Sequence, residues 1–536
     1  MALFAFNRTG APLLLATTTP PITLPQSLAP PSKGPGSDVT AQLRGLTSAQ
    51  YAVLEAHRVA GLVIFEWSDE PDYATAPLQT TTPTLRETTA SKVIHVDGTV
   101  GDDHNPGMAS FPVKTMTKAF DLIEELILPG HTIVVRVHAG IYPRLLVPPK
   151  FIGGVLAIIG ETRTLADNLP ISMPSNAKIT VTSLGAPDTF RGKILEIFDP
   201  TDPATVLQRH TIASHDGTSE VRPVAGFSPV PTITQQSRIL EPAVTFEAST
   251  NESHLLWAIS SGVYSDSSLP FPNLYLAGLR FTGPPSGGGT QLMRVTMPCN
   301  VTMRDCEFIS RSHLSAIVVG GSVNVLIGRA AVADPETGDV LFDPARDFSG
   351  IFVDGGSPGA FIVAFGRSSF WRIVGRRCVF SGSGHVNTIA GCDIVDGTIW
   401  ASGDASVSVF AVRGARMRIL GPDPIGFSIG LNSNRGILSV IGQPTEKCVV
   451  EGHPRAAALA SERAELRLTN VTGAAGNDVG IMLKDMSLAI VNDDTDVTGG
   501  TDIMLGPTSY TYAELDASIT TPRSLTDPVE LCRIRR

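Results

Sequence analysis

The residues of this sequence that could do chemistry are scattered acids rather than a motif with fixed spacing. The densest acidic cluster is Asn492-Asp-Asp-Thr-Asp496, with Asp502 nearby, and its hard oxygens could hold calcium. The cluster lacks the Asp-x-Asp-x-Asp-Gly spacing of calcium loops, and acids between short strands are more often turn formers. We therefore interpret it as a turn and predict no bound metal.

Two further pairs of titratable residues also have a structural interpretation. Asp102 and Asp103 lie in a turn-rich loop before a predicted helix, where carboxylates accept backbone hydrogen bonds. His215 and Asp216 lie in a Pro-rich stretch without the Gly-x-Ser-x-Gly elbow that would supply a nucleophile. We therefore predict no catalytic residues.

Isolated acids and tryptophans could instead line an outer face where sugars bind. The acids in question are Asp305, Glu307, Asp354, Asp393 and Asp396. Trp371 and Trp400 could stack on sugar rings, although their apolar neighbours favour packing. The Gly-rich run 286–289 lacks the Gly-Lys-Ser/Thr of a phosphate loop, so we predict no cofactor-binding residues and no cofactor.

Composition narrows the classes of partner. The net charge of -10 argues against nucleic acid, because duplex binding requires clustered Lys and Arg. No apolar stretch is long enough for a membrane-spanning helix, and residues 1–16 lack the basic start and apolar run of a signal peptide. We expect neither nucleic-acid binding, nor membrane insertion, nor export. The cysteines form no C-x-x-C pair, so we predict buried free thiols at Cys299, Cys306, Cys378, Cys392, Cys448 and Cys532.

An internal repeat predicts how the chain folds. The 536 residues are too many for one compact globule, and 51 Gly and 40 Pro among Val, Ile, Thr and Ser indicate many short strands joined by turns. Residues 273–283 and 300–310 superimpose, with Leu274 on Val301 and Phe281 on Phe308, at an offset of 301 − 274 = 27 residues. An offset of this size is typical of a solenoid. Apolar residues partly alternate with polar ones, as one inward-facing strand surface requires.

Residues 92–142 carry the most specific pattern. A strand over 92–96 is followed by the turn-rich loop 97–107, a helix with apolar residues at 3, 4 and 7 spacing over 115–127, and a strand over 132–138 that ends in Gly-Ile-Tyr142. In this order the run resembles the N-terminal cap of pectate-lyase-like proteins. The resemblance implies a mainly β fold, a right-handed parallel β-helix whose first helix covers the end of the coil. An uncovered end would leave backbone groups unpaired.

The domain organisation follows from shifts in composition. Residues 1–75 are predicted to form a small, Pro-rich α/β unit with a helix over 47–58 and a strand over 61–67, and residues 76–91 a linker. The coil is expected over 92–506, with loops or small excursions near 186–241 and 328–349, and a tail over 507–536.

This order of parts resembles bacteriophage tailspike, fibre and collar appendages. The resemblance implies a structural and host-attachment component of the virion, assembled in the host cytoplasm. It also implies an N-terminal unit that anchors on other virion proteins, a homotrimer with closed symmetry, and a coil facing host-surface polysaccharide. Because one fold hosts many functions, two alternatives stay open. A polysaccharide lyase or glycoside hydrolase acting on capsule or lipopolysaccharide would need paired carboxylates, or a carboxylate with Arg, in a concave patch. A bacterial adhesin would need an export signal.

Overall fold

A computed structural model gives the structure of this chain, and it describes the following residues, for some strands as backbone alone: 2–7, 13–15, 22–24, 37–38, 63–68, 90–123, 126–127, 130–147, 151–152, 154–181, 184–247, 254–258, 273–283, 291–295, 300–310, 315–319, 324–326, 333–338, 343, 345–355, 360–364, 368–383, 386–403, 405–410, 417–420, 429–444, 447–473, 476–492, 495–497, 499, 501–505, 512–515, 525–526 and 533–535.

The chain divides into two compact units. The smaller comprises Met1–Glu87 and Ser260–Pro270, and the larger comprises Thr88–Ile259 and Phe271–Arg536. In the smaller unit, Ala2–Asn7 pairs antiparallel with Ser37–Asp38 and with Val63–Ser68, while Leu13–Leu15 pairs with Ile22–Leu24. The helix predicted over 47–58 lies outside the described residues.

Parallel strands of the larger unit form three stacks, here named A, B and C. Stack A contains Lys92–Val96, Thr132–Val137, Val155–Gly160, Asn273–Ala277, Asn300–Arg304, Asn324–Leu326, Ser368–Arg376, Val386–Val395, Ser406–Phe410, Ile437–Ile441, Glu465–Thr469, Leu488–Asn492, Tyr512–Leu515 and Arg533–Arg535. Stack B contains Gly140–Tyr142, Val244–Glu247, Leu279–Thr282, Cys306–Ile309, Ile351–Asp354, Met417–Leu420, Cys448–Glu451, Val471–Gly473 and Asp496–Val497, and the second halves of Ser368–Arg376 and Val386–Val395 complete it. Stack C contains Leu145–Val147, His254–Ala258, Gln291–Val295, Ser315–Val319, Ala360–Ala364, Cys378–Ser383, Thr398–Ser402, Ile429–Asn434, Ala456–Ser461, Val479–Leu483, Thr501–Leu505 and Leu525–Thr526.

The chain visits the three stacks in turn, and one circuit is called a rung below. Leu274 pairs with Val301 in stack A, and Phe281 pairs with Phe308 in stack B, which confirms the 27-residue offset predicted from the repeat. The structure is therefore mainly β, with parallel sheets in a β-helix-like arrangement. The right-handed sense of the coil remains an expectation from the resemblance.

Apolar side chains from all three stacks form one continuous core. Within it, the Phe281 ring stacks between Phe246 and Phe308, at centroid distances of 5.7 and 5.1 Å. Four thiols are free and buried, as predicted: Cys306, Cys378, Cys392 and Cys448. Burial raises the pKa of Cys306 to about 12, so that thiol stays protonated and behaves as a small apolar side chain. Cys299 and Cys532 lie outside the described residues.

The helix predicted over 115–127 is shorter than expected. It spans Met116–Asp121, and Thr115 caps it by accepting a hydrogen bond from the Lys118 N–H at 3.1 Å. Leu126–Ile127 instead forms a strand that pairs in parallel with Phe151–Ile152, so a non-local partner overrides the helical spacing. Met116, Ala119 and Phe120 pack into the core. Such a short helix does not show the predicted cap, and the capping role stays a prediction.

The excursion predicted near 186–241 is a folded sheet rather than a loop, and it begins earlier. We name it the inserted sheet; its antiparallel strands are Thr162–Pro170, Gln236–Pro242, Ile194–Asp199, Asp202–His215, Glu220–Pro223 and Ile179–Thr180. It has a hydrophobic core of its own, which includes Ile179, Ile197, Ile212 and Phe227.

The excursion predicted near 328–349 runs along the outside of stack A. We name its described residues, 333–338, 343 and 345–349, the strap. One outward column of stack A passes, rung by rung, through His95, Arg136, Ile159, Ala277 and Arg304. Asp334 and Asp347 of the strap form ion pairs with Arg136 and Arg304 respectively, and Glu336 Oε2 lies 3.3 Å from His95 Nε2. The described residues of the strap therefore contact the first, second and fifth of these rungs. It also joins the inserted sheet, because Asp347–Phe348 pairs in parallel with Asp202–His215.

Candidate functional site

The outer face of stack A is covered in its first rungs and open in later ones. In Asn273–Ala277, four successive residues are buried, and the strap contacts this outward side, where Asp334 pairs with Arg136 and Asp347 with Arg304. In Ile437–Ile441, Glu465–Thr469 and Leu488–Asn492, buried residues instead alternate with exposed or half-buried ones. On stack A, the outer face that a partner could reach is therefore that of these later rungs.

Three consecutive turns on these rungs lie side by side. Each connects a strand of stack C to the next strand of stack A, and they comprise residues 435–436, 462–464 and 484–487. The turns lengthen from two to four residues. Backbone hydrogen bonds tie each turn to the next rung, since the Arg435 N–H donates to the Ser461 carbonyl at 3.3 Å and the Arg463 N–H to the Asp485 carbonyl at 2.8 Å. Each turn is thus fixed by its neighbour.

Five residues of these turns adopt left-handed backbone conformations without being glycine. They are Arg435 (φ 56°), Glu462 (56°), Arg463 (66°), Asp485 (55°) and Met486 (61°). The left-handed helical conformation costs a residue with a Cβ roughly 1–2 kcal/mol. The hydrogen bonds between rungs offset this cost. Residues held in such conformations are concentrated at ligand sites in other proteins, so these turns are candidates for one.

The same five side chains line a groove with a volume of 560 Å³, within the range of small-ligand sites. Arg435 Nε lies 2.7 Å from Glu462 Oε2, and their side chains are 68 % and 43 % exposed. Met486 is 43 % exposed and adds an apolar surface. We name this the turn groove. Guanidinium donors, carboxylate acceptors and a thioether are groups that bind sugar hydroxyls and the apolar face of a sugar ring.

Three of the acids considered as sugar ligands lie beneath the inserted sheet. Glu307 is 1 % exposed and accepts from Lys193 Nζ at 2.8 Å, and Asp393 is fully buried with Arg191 Nη1 at 2.8 Å from its Oδ1. Asp305 lies 2.8 Å from Arg209 Nε. Their partners Arg191, Lys193 and Arg209 lie in the inserted sheet or directly before its strand Ile194–Asp199, so these carboxylates hold that sheet on the coil and are not accessible to sugars. Glu307 and Asp393 belong to stack B.

The pKa values in this buried interface follow from burial and pairing. Burial would raise the pKa of Asp347, but Arg304 and Arg209 outweigh it and hold that pKa below its usual value. Burial raises the pKa of Asp305 despite the nearby Arg209. Burial also lowers the pKa of His210 to about 3, so this ring is neutral between Phe227 and Phe348.

The remaining candidate acids have structural partners or lie on turns. Asp103 accepts hydrogen bonds from the Lys114 and Thr115 N–H groups, both at 2.9 Å, and so precedes the helix as predicted. Asp102 accepts from the His104 N–H at 2.9 Å. Asp354 is half-buried, and Asp396 occupies a left-handed turn position with φ 54°.

His215 and Asp216 form a turn of the inserted sheet. Asp216 Oδ1 accepts from three backbone N–H groups, those of Thr218, Ser219 and Glu220. These hydrogen bonds hold the pKa of Asp216 well below its usual value. His215 Nε2 lies 2.8 Å from the Phe190 N, and burial lowers its pKa. Both side chains therefore stabilise the turn.

The segment considered for calcium is described in part. Asn492 and Asp496 are exposed, whereas Asp493, Asp494 and the side chain of Asp502 lie outside the described residues. Thr495 Oγ1 donates to the Asn492 carbonyl at 2.8 Å, as in a turn. Among the described residues, no group of three or more His, Cys, Asp or Glu has the geometry to hold a metal.

Neither tryptophan presents a described sugar-stacking surface. Trp400 is half-buried in Thr398–Ser402, and the side chain of Trp371 lies outside the described residues, as does the run 286–289. No helix in the part of the chain that the structure describes is long and apolar enough to cross a membrane.

The residues of the turn groove escaped the sequence analysis. Their one signal is positional: a charged residue follows a stack C strand at Arg435 and again 27 residues later at Glu462. In a single sequence, such residues are indistinguishable from ordinary solvated turns. Stacking makes them neighbours.

The stacked parallel strands and the charged turn groove define a mainly β, β-helix-like protein. No protein-family model and no curated protein matches the chain. Solved structures that match include a complex of XylC with xylose, at 11% identity and a TM-score of 0.24 over 79% of this chain and 68% of that one. The tailspike gp49 of Pseudomonas phage LKA1 matches at 10% identity and 0.20, over 75% and 71%. A rhamnogalacturonan lyase matches at 11% and 0.18, over 83% and 86%. At these scores the similarities carry no argument about function.

Proposed function

We propose that this protein is a structural and receptor-recognition component of a bacteriophage virion, a tailspike, fibre or collar appendage whose coil faces host-surface glycans. The observation that carries the proposal is the turn groove. It is a concave, exposed row of Arg435, Glu462, Arg463, Asp485 and Met486 on the open part of a rigid stack. Sites on rigid elements hold their polar groups in place before the ligand arrives, which lowers the entropic cost of binding.

The glycan-binding part of the proposal is tested by removing one charge from the groove. The probe is a panel of bacterial capsular polysaccharides and lipopolysaccharides, titrated with the full chain. Arg463→Ala is expected to weaken binding at least about tenfold, since one charged hydrogen bond contributes about 1.5–3 kcal/mol. The matched control is Arg455→Ala, which removes an exposed Arg at the other end of the strand Ala456–Ser461. Absence of binding by the wild type, or equal binding by both variants, would refute this site.

The expectations that the protein is part of a virion and forms a trimer are tested separately. Antibody-labelled particles viewed in negative stain are expected to show the protein on the tail or collar, with residues 1–75 anchoring it on other virion proteins. Mass photometry is expected to show a homotrimer, and a stable monomer at micromolar concentration would refute it. Both expectations rest on the resemblance of the sequence to tailspikes, as do the right-handed coil and the helix that caps it.

A second candidate function is a glycoside hydrolase or polysaccharide lyase, because the groove contains two carboxylates. Hydrolases of sugars use a carboxylate pair, one acting as acid and the other as base or nucleophile. Glu462, however, already pairs with Arg435 at 2.7 Å. The test measures new reducing ends released from any polysaccharide that binds. Their release by the wild type and loss in Glu462→Gln or Asp485→Asn would establish an enzyme; no release would leave the binding function.

A further inference from the structure

The turn groove is electrically balanced but leaves one guanidinium open to a ligand. Two arginines and two carboxylates line it: Arg435, Arg463, Glu462 and Asp485. Arg435 Nε already pairs with Glu462 Oε2 at 2.7 Å. The Arg463 side chain is exposed, and within the part of the chain that the structure describes it has no ion-pair or hydrogen-bond partner. The groove therefore offers hydrogen-bond donors without an excess of positive charge, which suits a neutral acceptor better than an acid.

Arg463 is held beside an exposed methionine. The Arg463 N–H donates to the Asp485 carbonyl at 2.8 Å, and Met486 is the next residue of that turn. Arg463 and Met486 both have left-handed backbones, with φ 66° and 61°, and Met486 is 43 % exposed. Adjacent rungs lie about 4.8 Å apart. A donor and an apolar group on neighbouring rungs can therefore contact one small substituent of a ligand.

Apolar surface continues from the groove onto the open face of stack A. Leu488 and Ile490 point outward from the strand that follows the turn, and both are half-buried. On the neighbouring rung, the outward charges satisfy each other, because Arg467 Nε lies 2.5 Å from Glu465 Oε1. We name Met486, Leu488 and Ile490 the apolar shelf. The shelf offers a ligand an apolar contact next to the Arg463 donor.

Few substituents of a sugar use both the donor and the shelf. A hydroxyl group accepts from a guanidinium but brings no apolar surface, and the methyl group of a deoxysugar brings apolar surface but no acceptor. A carboxylate would accept strongly from Arg463, but it would also lie near the carboxylates of Glu462 and Asp485. An acetyl group carries a carbonyl acceptor and a methyl group on the same carbon, and it has no charge. It therefore matches the donor and the shelf together.

We propose that the turn groove recognises acetylated sugars. The acetyl carbonyl accepts a hydrogen bond from the Arg463 guanidinium, and the methyl group lies on Met486 at the edge of the apolar shelf. This inference rests on the proposed function, because it names the chemical class of the glycan that the same groove binds. The acetyl group is either an ester of a hydroxyl or an amide of an amino sugar, since both present the same carbonyl and methyl groups.

Calorimetric titration of the full chain with modified polysaccharides tests the proposal. The probes are the capsular polysaccharides and lipopolysaccharides of the panel above that the wild type binds, each compared with its own modified forms. Mild alkali removes acetyl esters and leaves acetamides intact. Hydrazinolysis removes the acetamides, and the freed amines are then re-acylated with either acetyl or formyl groups. The two re-acylated forms have the same charge and the same carbonyl, and they differ by one methyl group.

The size of the effect follows from the groups removed. Where the recognised group is an ester, mild alkali is expected to weaken binding at least about tenfold, because the acceptor for Arg463 is lost together with the methyl group. Where it is an amide, the formyl form is expected to bind about fourfold more weakly than the acetyl form, as the burial of one methyl group gives. This ratio of affinities is called the acetyl preference below.

Two variants of Met486 test whether the acetyl preference arises at the shelf. Met486→Asn keeps a residue that the left-handed conformation tolerates but removes the apolar surface, so the acetyl preference is expected to fall to about one. Met486→Gly removes the same surface and relieves the left-handed backbone, so it serves if Met486→Asn does not fold. The matched control is Met173→Asn, since Met173 is also an exposed methionine with a left-handed backbone (φ 43°) but lies between two strands of the inserted sheet. That variant is expected to keep the preference.

The outcomes separate this inference from the proposed function. If the wild type binds no polysaccharide of the panel, the proposed glycan recognition fails and the inference fails with it. If the wild type binds polysaccharides whether or not they carry acetyl groups, the acetyl inference alone is overturned. An acetyl preference that persists in Met486→Asn and Met486→Gly would also overturn it.

Discussion

The buried pair of Arg191 and Asp393 gives the sharpest prediction about how the inserted sheet is held on stack B. Arg191 Nη1 and Nη2 lie 2.8 and 2.9 Å from Asp393 Oδ1, and the two side chains are 4 % and 0 % exposed. Arg191→Met retains most of the apolar stem but removes the guanidinium group that pairs with the buried Asp393 carboxylate. Removing one partner of a buried ion pair costs about 3–5 kcal/mol. At about 1.36 kcal/mol per tenfold change, this corresponds to two to four powers of ten in the opening equilibrium.

The double variant Arg191→Met/Asp393→Val separates the cost of an unpaired charge from the loss of a contact. Replacing both charges with apolar side chains is often neutral, because neither desolvation penalty remains. Valine also suits position 393, which lies in the strand Val386–Val395 beside the buried Val374. The double variant is therefore expected to lose less than about 1 kcal/mol, several kcal/mol less than the single variant.

The assay is hydrogen–deuterium exchange of Ile194–Asp199 and Gln236–Pro242, two adjacent strands of the inserted sheet, which gives the free energy of opening that sheet. The control is Arg222→Met in the same sheet, since Arg222 pairs with Glu220 and their side chains are 33 % and 21 % exposed. That change is expected to cost at most about 1 kcal/mol. The reasoning fails if Arg191→Met costs no more than Arg222→Met, or if the double variant is as unstable as the single one.

Three further predictions concern acid stability, the core and the loop before the helix. Burial would raise the pKa of Glu241, but Lys193 and neighbouring arginines outweigh burial and lower that pKa from 4.5 to about 2. This carboxylate therefore stabilises the inserted sheet fully above pH 4.5, and progressively less as the pH falls toward 2. The rate at which pepsin cleaves the inserted sheet is expected to rise as the pH falls from 4.5 to 2. Glu241→Gln is expected to weaken this dependence of the cleavage rate on pH. Phe281→Ala is expected to lower the free energy of unfolding by about 3–5 kcal/mol in thermal melts, and Phe281→Leu by less. Asp103→Ala is expected to cost about 1–2 kcal/mol in the same melts because it leaves the Lys114 and Thr115 N–H groups without their acceptor, whereas Asp102→Ala is expected to leave the melting temperature unchanged.

The repeat was predictable from sequence because each rung buries similar side chains at a similar offset. Leu274 on Val301 and Phe281 on Phe308 needed nothing but that periodicity. The helix over 115–127 was predicted too long, because its last residues pair with Phe151–Ile152, a partner that helical spacing cannot reveal. Local patterns fail where a non-local partner decides the structure.

The sequence predicted loops or excursions near 186–241 and 328–349, but not the structure of the inserted sheet and strap, for the same reason. Antiparallel strands such as Ile194–Asp199 carry no offset in common with the coil, so the sequence could not distinguish a loop from a folded excursion. The strap reaches its partners across long separations, as Glu336 does with His95. For the candidate site, the sequence offered the acids Asp305 and Glu307, which prove to be buried in the interface. The groove residues are recognisable as a set once their rungs are stacked.

The covered and open parts of stack A nevertheless differ in their sequences, and this difference supports the position of the candidate site. Covered strands read as nearly continuous apolar runs, as in Val155–Gly160 and Asn273–Ala277. Open strands alternate, as in Glu465–Thr469, where Arg467 is exposed between the buried Leu466 and Leu468. A sheet buried on both faces requires the first pattern, and a sheet with one wet face requires the second. Had another domain or subunit covered the later rungs permanently, their outward positions would be under the same pressure to be apolar as those of the early rungs. In Glu465–Thr469 the outward positions are the polar Glu465, Arg467 and Thr469, so this rung meets water. Its neighbours Ile437–Ile441 and Leu488–Asn492 also place apolar residues outward and leave them partly exposed, Ile441 at 45 %. The open face of stack A is therefore a mixed polar and apolar surface.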